Sequence, residues 1–156
     1  MAMYSAAFSA TGATAAQDVF EITASAAKAV RILEIRIGQY SDAGDAEAEL
    51  LSVLFMRDHP TSGSGGSVLT PVKWNPQIGS TFGGVVESNN TTVASGSGSE
   101  TILSDTFFAQ SGFYWRAVSD PPMAIVLKPS QRLVIRITAP ADSLTMNGTV
   151  IFEEID

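Results

Sequence analysis

The chain has 156 residues, enough for one domain with a real core and too few for a second independent one. Hydrophobic residues make up 45% and charged residues only 16%, against about 25% charged in an average soluble domain; such poverty of charge is common in proteins that bury surface in an assembly, and in plain β-domains. A net charge of −7 with 9 Lys and Arg disfavours direct nucleic-acid binding or a basic membrane-surface helix, and 0 cysteines remove disulfides, thiolate metal sites and cysteine nucleophiles.

Residues 1–16, MAMYSAAFSATGATAA, are rich in small side chains that allow close approach of extended backbone, and are expected to form an N-terminal arm or a first edge strand. They contain no basic n-region or unbroken apolar core, and the chain has no run of about 18 apolar residues, so it is expected to be neither exported nor membrane-spanning. A single β-domain is expected over residues 17–156. DVFEIT alternates Val19, Glu21 and Thr23 against Phe20 and Ile22, and VRILEIRIG sets Leu33, Ile35 and Ile37 on one face and Glu34 and Arg36 on the other. AEAELLSVLFMR fits two periods. Leu50, Leu51, Leu54 and Phe55 match a helix with Asp45 as N-cap, whereas a strand divides Leu51, Val53 and Phe55 from Leu50, Leu54 and Met56. The strand is preferred because the neighbouring segments are β-like.

In the stretch FMRDHPTSGSGG, Phe55, Met56 and Arg57 finish that strand and His59-Pro60 begins a break whose glycines, like ASGSGSE at 94–100, have the composition of a flexible linker. Between them, SVLTPVKWNP reads as a strand interrupted by Pro71, an edge or a bulge, with weak strands near 82–86 and 91–93. TILSDTFFAQ and GFYWRAV return to alternation across Ser111-Gly112, and Asp120-Pro121-Pro122 forces a turn. The last third holds a strand over 123–128 and one with Leu133, Ile135 and Ile137 opposite Arg132, Val134, Arg136 and Thr138. SLTMNGTVIFEEI then carries Asn147-Gly148 as either a turn or a bulge in one long strand. Eight to ten strands without a repeat of constant period indicate an all-β, single-domain jelly-roll β-sandwich with long loops.

The order PSQRLVIRIT then SLTMNGTVIFEEI resembles the closing strands of jelly-roll modules. With QDVFEITASAAKAVRILEIRIGQ and FFAQSGFYWR it is similar to small proteins encoded with tailed-phage structural genes, above all the capsid decoration, or cement, proteins. That resemblance implies a non-enzymatic homotrimer on the outer surface of a virion capsid, made in the host cytoplasm, that bridges neighbouring major capsid protein subunits. It implies no catalytic, cofactor-binding or metal residues.

Several constellations of residues could carry chemistry. The only histidine, His59, follows Asp58, but adjacent residues of an extended chain point to opposite faces, and no Gly-x-Ser-x-Gly elbow is present. SGSGGS matches neither a Walker loop nor a dinucleotide fingerprint. Asp42, Asp45, Glu47 and Glu49 could offer oxygens to calcium but depart from the EF-hand spacing, and a solvated acidic loop is the plainer reading. A cupin-like metalloenzyme needs several histidines. Phe113 and Trp115 share one strand face and Tyr114 and Arg116 the other, so one pair should be core. The candidate contact residues are Tyr4, Phe8, His59, Trp74, Tyr114, Trp115 and Arg116. The alternative function is a carbohydrate- or receptor-binding jelly-roll module of a phage fibre or tail, stacking sugars on Trp74 or Trp115.

Overall fold

The computed structural model describes residues 2–41, 49–118 and 123–155. Through them run β1 (Ala2–Ala13), β2 (Gln17–Thr23), β3 (Ala29–Gln39), β4 (Leu50–Arg57), β5 (Ser67–Leu69), β6 (Val72–Lys73), β7 (Val85–Asn90), β8 (Glu100–Phe108), β9 (Phe113–Arg116), β10 (Ile125–Leu127), β11 (Arg132–Ile137) and β12 (Leu144–Ile155). The first of two antiparallel sheets has the order β10-β3-β12-β1-β6, with β9 also on β3; the second runs β5-β7-β2-β11-β4-β8. Pairing is nested: β1 with β12, β2 with β11, β3 with β9 and β10, and β4 with β8. An antiparallel ribbon folded in that way, first strand on last, is the jelly roll.

The strands exceed eight to ten for two reasons. β9 and β10 lie end to end along one edge of β3, and the crossover from β4 to β8, residues 58–99, adds β5, β6 and β7. Pro71 marks a corner at which the chain changes sheets: β5 pairs with β7 in the second sheet and β6 with β1 in the first. Residues 2–13 do not extend away as an arm, because β1 pairs with β12 from Ala2 to Ala13 and carries β6 on its other edge. Asn147-Gly148 lies within β12 and makes no turn. Gly148 is required there because a Cβ would come 2.7 Å from the ring of Phe8.

Alternation decides what each strand buries. In β4, Leu51, Val53 and Phe55 face the space between the sheets, as do Leu133, Ile135 and Ile137 of β11. Two bulges shift the phase elsewhere. The pairing of β2 with β11 slips between Ile135 and Arg136, so Val19 joins Phe20 in the core while Asp18 and Glu21 face out. In β3 a slip opposite Ile151 and Phe152 turns Leu33 out of the core and leaves Val30, Ile32, Ile35 and Ile37 inside. The 94–100 segment is not a free linker: Ser95 bridges Thr61, and Thr92 bridges Ser64.

Since Ile135 is fully buried and Leu50 is 69% exposed, Ile135→Ala should cost about 2–5 kcal/mol of unfolding free energy and Leu50→Ala within about 0.5 kcal/mol, measured by urea denaturation. A helical β4 segment would not give this contrast.

Candidate functional site

The outer face of the second sheet is covered where β2 and β11 pair, and the densest charge cluster among the described residues lies there. β2 supplies Asp18 and Glu21, β11 supplies Arg132 and Arg136, and both carboxylates are almost wholly shielded from solvent. Arg136 grips Asp18 through two nitrogens, Nε donating to Oδ1 at 2.6 Å and Nη2 to Oδ2 at 3.3 Å. Arg132 Nε lies 2.7 Å from Glu21 Oε1, as an ion pair without the alignment of a hydrogen bond. Two unpaired buried charges would each cost several kcal/mol, so neighbouring strands carry opposite signs here.

The carboxylates also hold the crossover. Gly63 N donates to Glu21 Oε2 at 2.9 Å, Asn90 Nδ2 to the same oxygen at 3.3 Å, and Ala94 N to Asp18 Oδ2 at 2.6 Å. Arg136 Nη2 donates to the Ala94 carbonyl at 2.8 Å and Arg132 Nη1 to the His59 carbonyl at 2.7 Å. The Ser62 hydroxyl lies between Glu21 and Glu87 and can give its single proton to one of them at a time. The glycines permit this approach: a Cβ on Gly66 would stand 2.1 Å from the Ser88 carbonyl oxygen, and Gly65 has φ 85°. Beneath the clamp, Met56, Ala94 and Val134 form a small second core against Leu54.

His59 enters this layer because Asp58 adopts φ 65°, a left-handed turn that aspartate tolerates. The two residues do not form a catalytic pair. Both Asp58 oxygens accept from Gln131 Nε2, at 2.8 and 3.0 Å, while His59 is 7% exposed and neither ring nitrogen meets a hydrogen-bond partner among the described residues. Burial, with Arg136 adding to it, holds the imidazole below its ordinary pKa of 6.5, against opposing pulls from Asp18 and Glu21. The unfolded chain therefore binds this proton more readily than the folded one. His59 leaves stability intact above pH 6.5 and removes it as pH falls through 6.5 toward the folded value.

Tyr4 and Phe8 are also interior, which removes them with His59 from the contact surface. Tyr4 stacks with Phe152, meets Phe82 at a tilt and donates to the Ser80 carbonyl at 2.8 Å; burial, and secondarily Glu154, raise its pKa above 10.0. Phe8 meets Phe20 edge-on at 5.2 Å. Trp115 is half-buried against Phe55, and Phe113 is core. Tyr114 and Arg116 face out, and Tyr114, 57% exposed, walls an open cradle of 470 Å³ with Arg36, Asn147 and Thr149. Arg36 lies over the Tyr114 ring, and Glu34 takes a contact from each of them.

Trp74, 61% exposed, stands at the edge of the first sheet. Its backbone N donates to Met3 O at 3.0 Å, and Val72 lies opposite Ser5, so Met3, Val72 and Trp74 share the outer face. Ile78 closes a hollow with Met3, Trp74 and Glu153. Of the acidic loop, Asp42, Asp45 and Glu47 lie outside the described residues, and Glu49 accepts a hydrogen bond from Ala141 N.

Arg136→Met strands the Asp18 carboxylate and should cost about 3 kcal/mol, read by urea denaturation at neutral pH. Adding Asp18→Leu should restore part of that loss, and independent additive costs would contradict a coupled pair.

No protein-family model matches the chain, and no curated protein matches it. Among solved structures it is similar to VP17, a capsid protein of bacteriophage P23-77, at 11% identity over 96% of this chain and 88% of that one, with a TM-score of 0.21. It is also similar to the VP16–VP17 complex of the two major capsid proteins of that phage, at 12% identity over 96% and 89%, with a TM-score of 0.21. Superposition that poor bears on neither fold nor function, and the jelly roll rests on the strand pairing of this chain alone.

Proposed function

We propose that the protein is a non-enzymatic structural component of a phage virion, a cement protein that decorates the capsid as a trimer and bridges neighbouring major capsid subunits. The reading rests on the resemblance of its strands to decoration proteins and, within the structure, on one observation: the exposed apolar strip of Met3, Val72, Trp74 and Ile78. A tryptophan surrounded by apolar neighbours and a polar rim, here Asn75 and Glu153, has the composition of a contact hot spot. The strip sits on a sheet edge, where a rigid sandwich can transmit load between partners. The sole histidine, turned into the protein without an orienting carboxylate, favours a structural role over hydrolysis.

A second reading, a carbohydrate-binding module, is favoured by the cradle beside Tyr114, whose ring is held in place by Arg36 and Glu34. Half-burial of Trp115 leaves Trp74 and Tyr114 as the available stacking rings.

Light scattering should give a trimer, and the protein should co-sediment with mature heads of the phage that encodes it. Trp74→Ala should weaken that binding by about 2 kcal/mol, roughly thirtyfold, with little change in melting temperature. A monomer that ignores heads contradicts the cement reading, and glycan-array binding lost in Tyr114→Ala would replace it.

A further inference from the structure

His59 is buried at the one place where two low-complexity segments cross a charged layer, and that placement has a consequence independent of the virion reading. We propose that residues 58–66 and 91–96 form a proton-operated latch: uptake of one proton by His59 frees both segments from the second sheet and uncovers Leu54, Met56 and Val134 beside Arg132 and Arg136.

A neutral imidazole carries one N–H, and its protonated form carries two. In the closed position neither ring nitrogen has an acceptor among the described residues. The charged groups that act on the ring are Arg132 and Arg136 from β11 and Asp18 and Glu21 from β2, with Glu87 of β7 bonded to Ser62 of the same segment. On its own segment, Arg57 is engaged by Glu100, and Asp58 by Gln131. The arginines repel an imidazolium. The two carboxylates attract it, but Glu21 already accepts from Gly63 N and Asp18 from Ala94 N. A protonated ring therefore either leaves the layer, taking residues 58–66 with it, or draws Asp18 or Glu21 away from the amides that they anchor. Both routes open the latch. The cost of the closed form is the unsatisfied neutral N–H, tolerable only while the ring stays uncharged.

Hydrogen exchange of the wild-type chain at pH 7.5 and 5.0, corrected for the intrinsic pH dependence, reads the latch through the amides of Gly63 and Ala94, which bond Glu21 and Asp18 of the second sheet in the closed state, whereas those of Thr61, Ser64, Thr92 and Ser95 bond one segment to the other. Protection of Gly63 and Ala94 should fall at pH 5.0 relative to the amides of Ile135 and Phe152, by at most about thirtyfold for a ring whose free pKa is about 6.5. In His59→Phe it should stay nearly unchanged. Because the chain has 1 histidine, its ring resonance is unambiguous by NMR, and in the wild type it should titrate in step with the loss of latch protection. Latch amides that stay protected at pH 5.0, or open equally in His59→Phe, overturn the proposal. Should that variant not fold at pH 7.5, the wild-type ring decides: titration near 6.5 with the latch still closed is equally fatal.

Discussion

Three buried carboxylates, Asp18, Glu21 and Glu154, each accept a backbone N–H from the same long crossover, and the shape of the protein outside its core depends on them. Glu21 takes Gly63, Asp18 takes Ala94, and Glu154 takes Gly83 at 3.1 Å. Each anchor is costly to remove, since a carboxylate shielded from water must be paid for by partners. Arg132 and Arg136 provide the countercharge in the second sheet, while in the first the Tyr4 hydroxyl donates to Glu154 at 3.3 Å. A segment composed mostly of Ser, Gly, Thr and Asn, with little apolar surface to bury, is thereby held as firmly as a strand.

The exposed apolar strip around Trp74 depends on that anchoring. β6 has two residues and would be marginal as a free strand. It is kept on the edge of β1 because the chain on one side turns into β5 and that on the other returns through Phe82, which meets Phe152 at 4.9 Å. Trp74 thus reaches solvent from a fixed backbone, so the partner proposed for it would meet a surface already ordered by folding. The same economy applies to Tyr114, fixed by Arg36 and Glu34.

Much of the sandwich was legible. Alternation in β4 and β11 separated the residues that the structure turns inward from those it turns outward, and the division of Phe113 from Tyr114 followed from the pleat alone. Bulges were not legible, because Val19 and Leu33 change face through a slip in pairing that no local pattern announces. The clamp was missed for a related reason: Glu21 and Gly63 are 42 positions apart and Asp18 and Ala94 are 76 apart, so Ser-Gly composition read as linker. A signal existed in the opposite charges that β2 and β11 carry on their non-core faces, Asp18 and Glu21 against Arg132 and Arg136, beside an apolar Val134 that a solvated face would not need. His59, Tyr4 and Phe8 were read as surface residues for want of that long-range information.

The most direct test of a buried charged layer beneath an ordered crossover is the guanidinium Nε–H signals of Arg132 and Arg136 in a nitrogen-15 NMR spectrum at pH 7.5. Slowly exchanging, individually resolved resonances, against fast exchange at the exposed Arg116, are the predicted result. Exchange at Arg132 and Arg136 as fast as at Arg116 would mean that residues 58–66 and 91–96 do not cover the sheet, and would contradict the clamp.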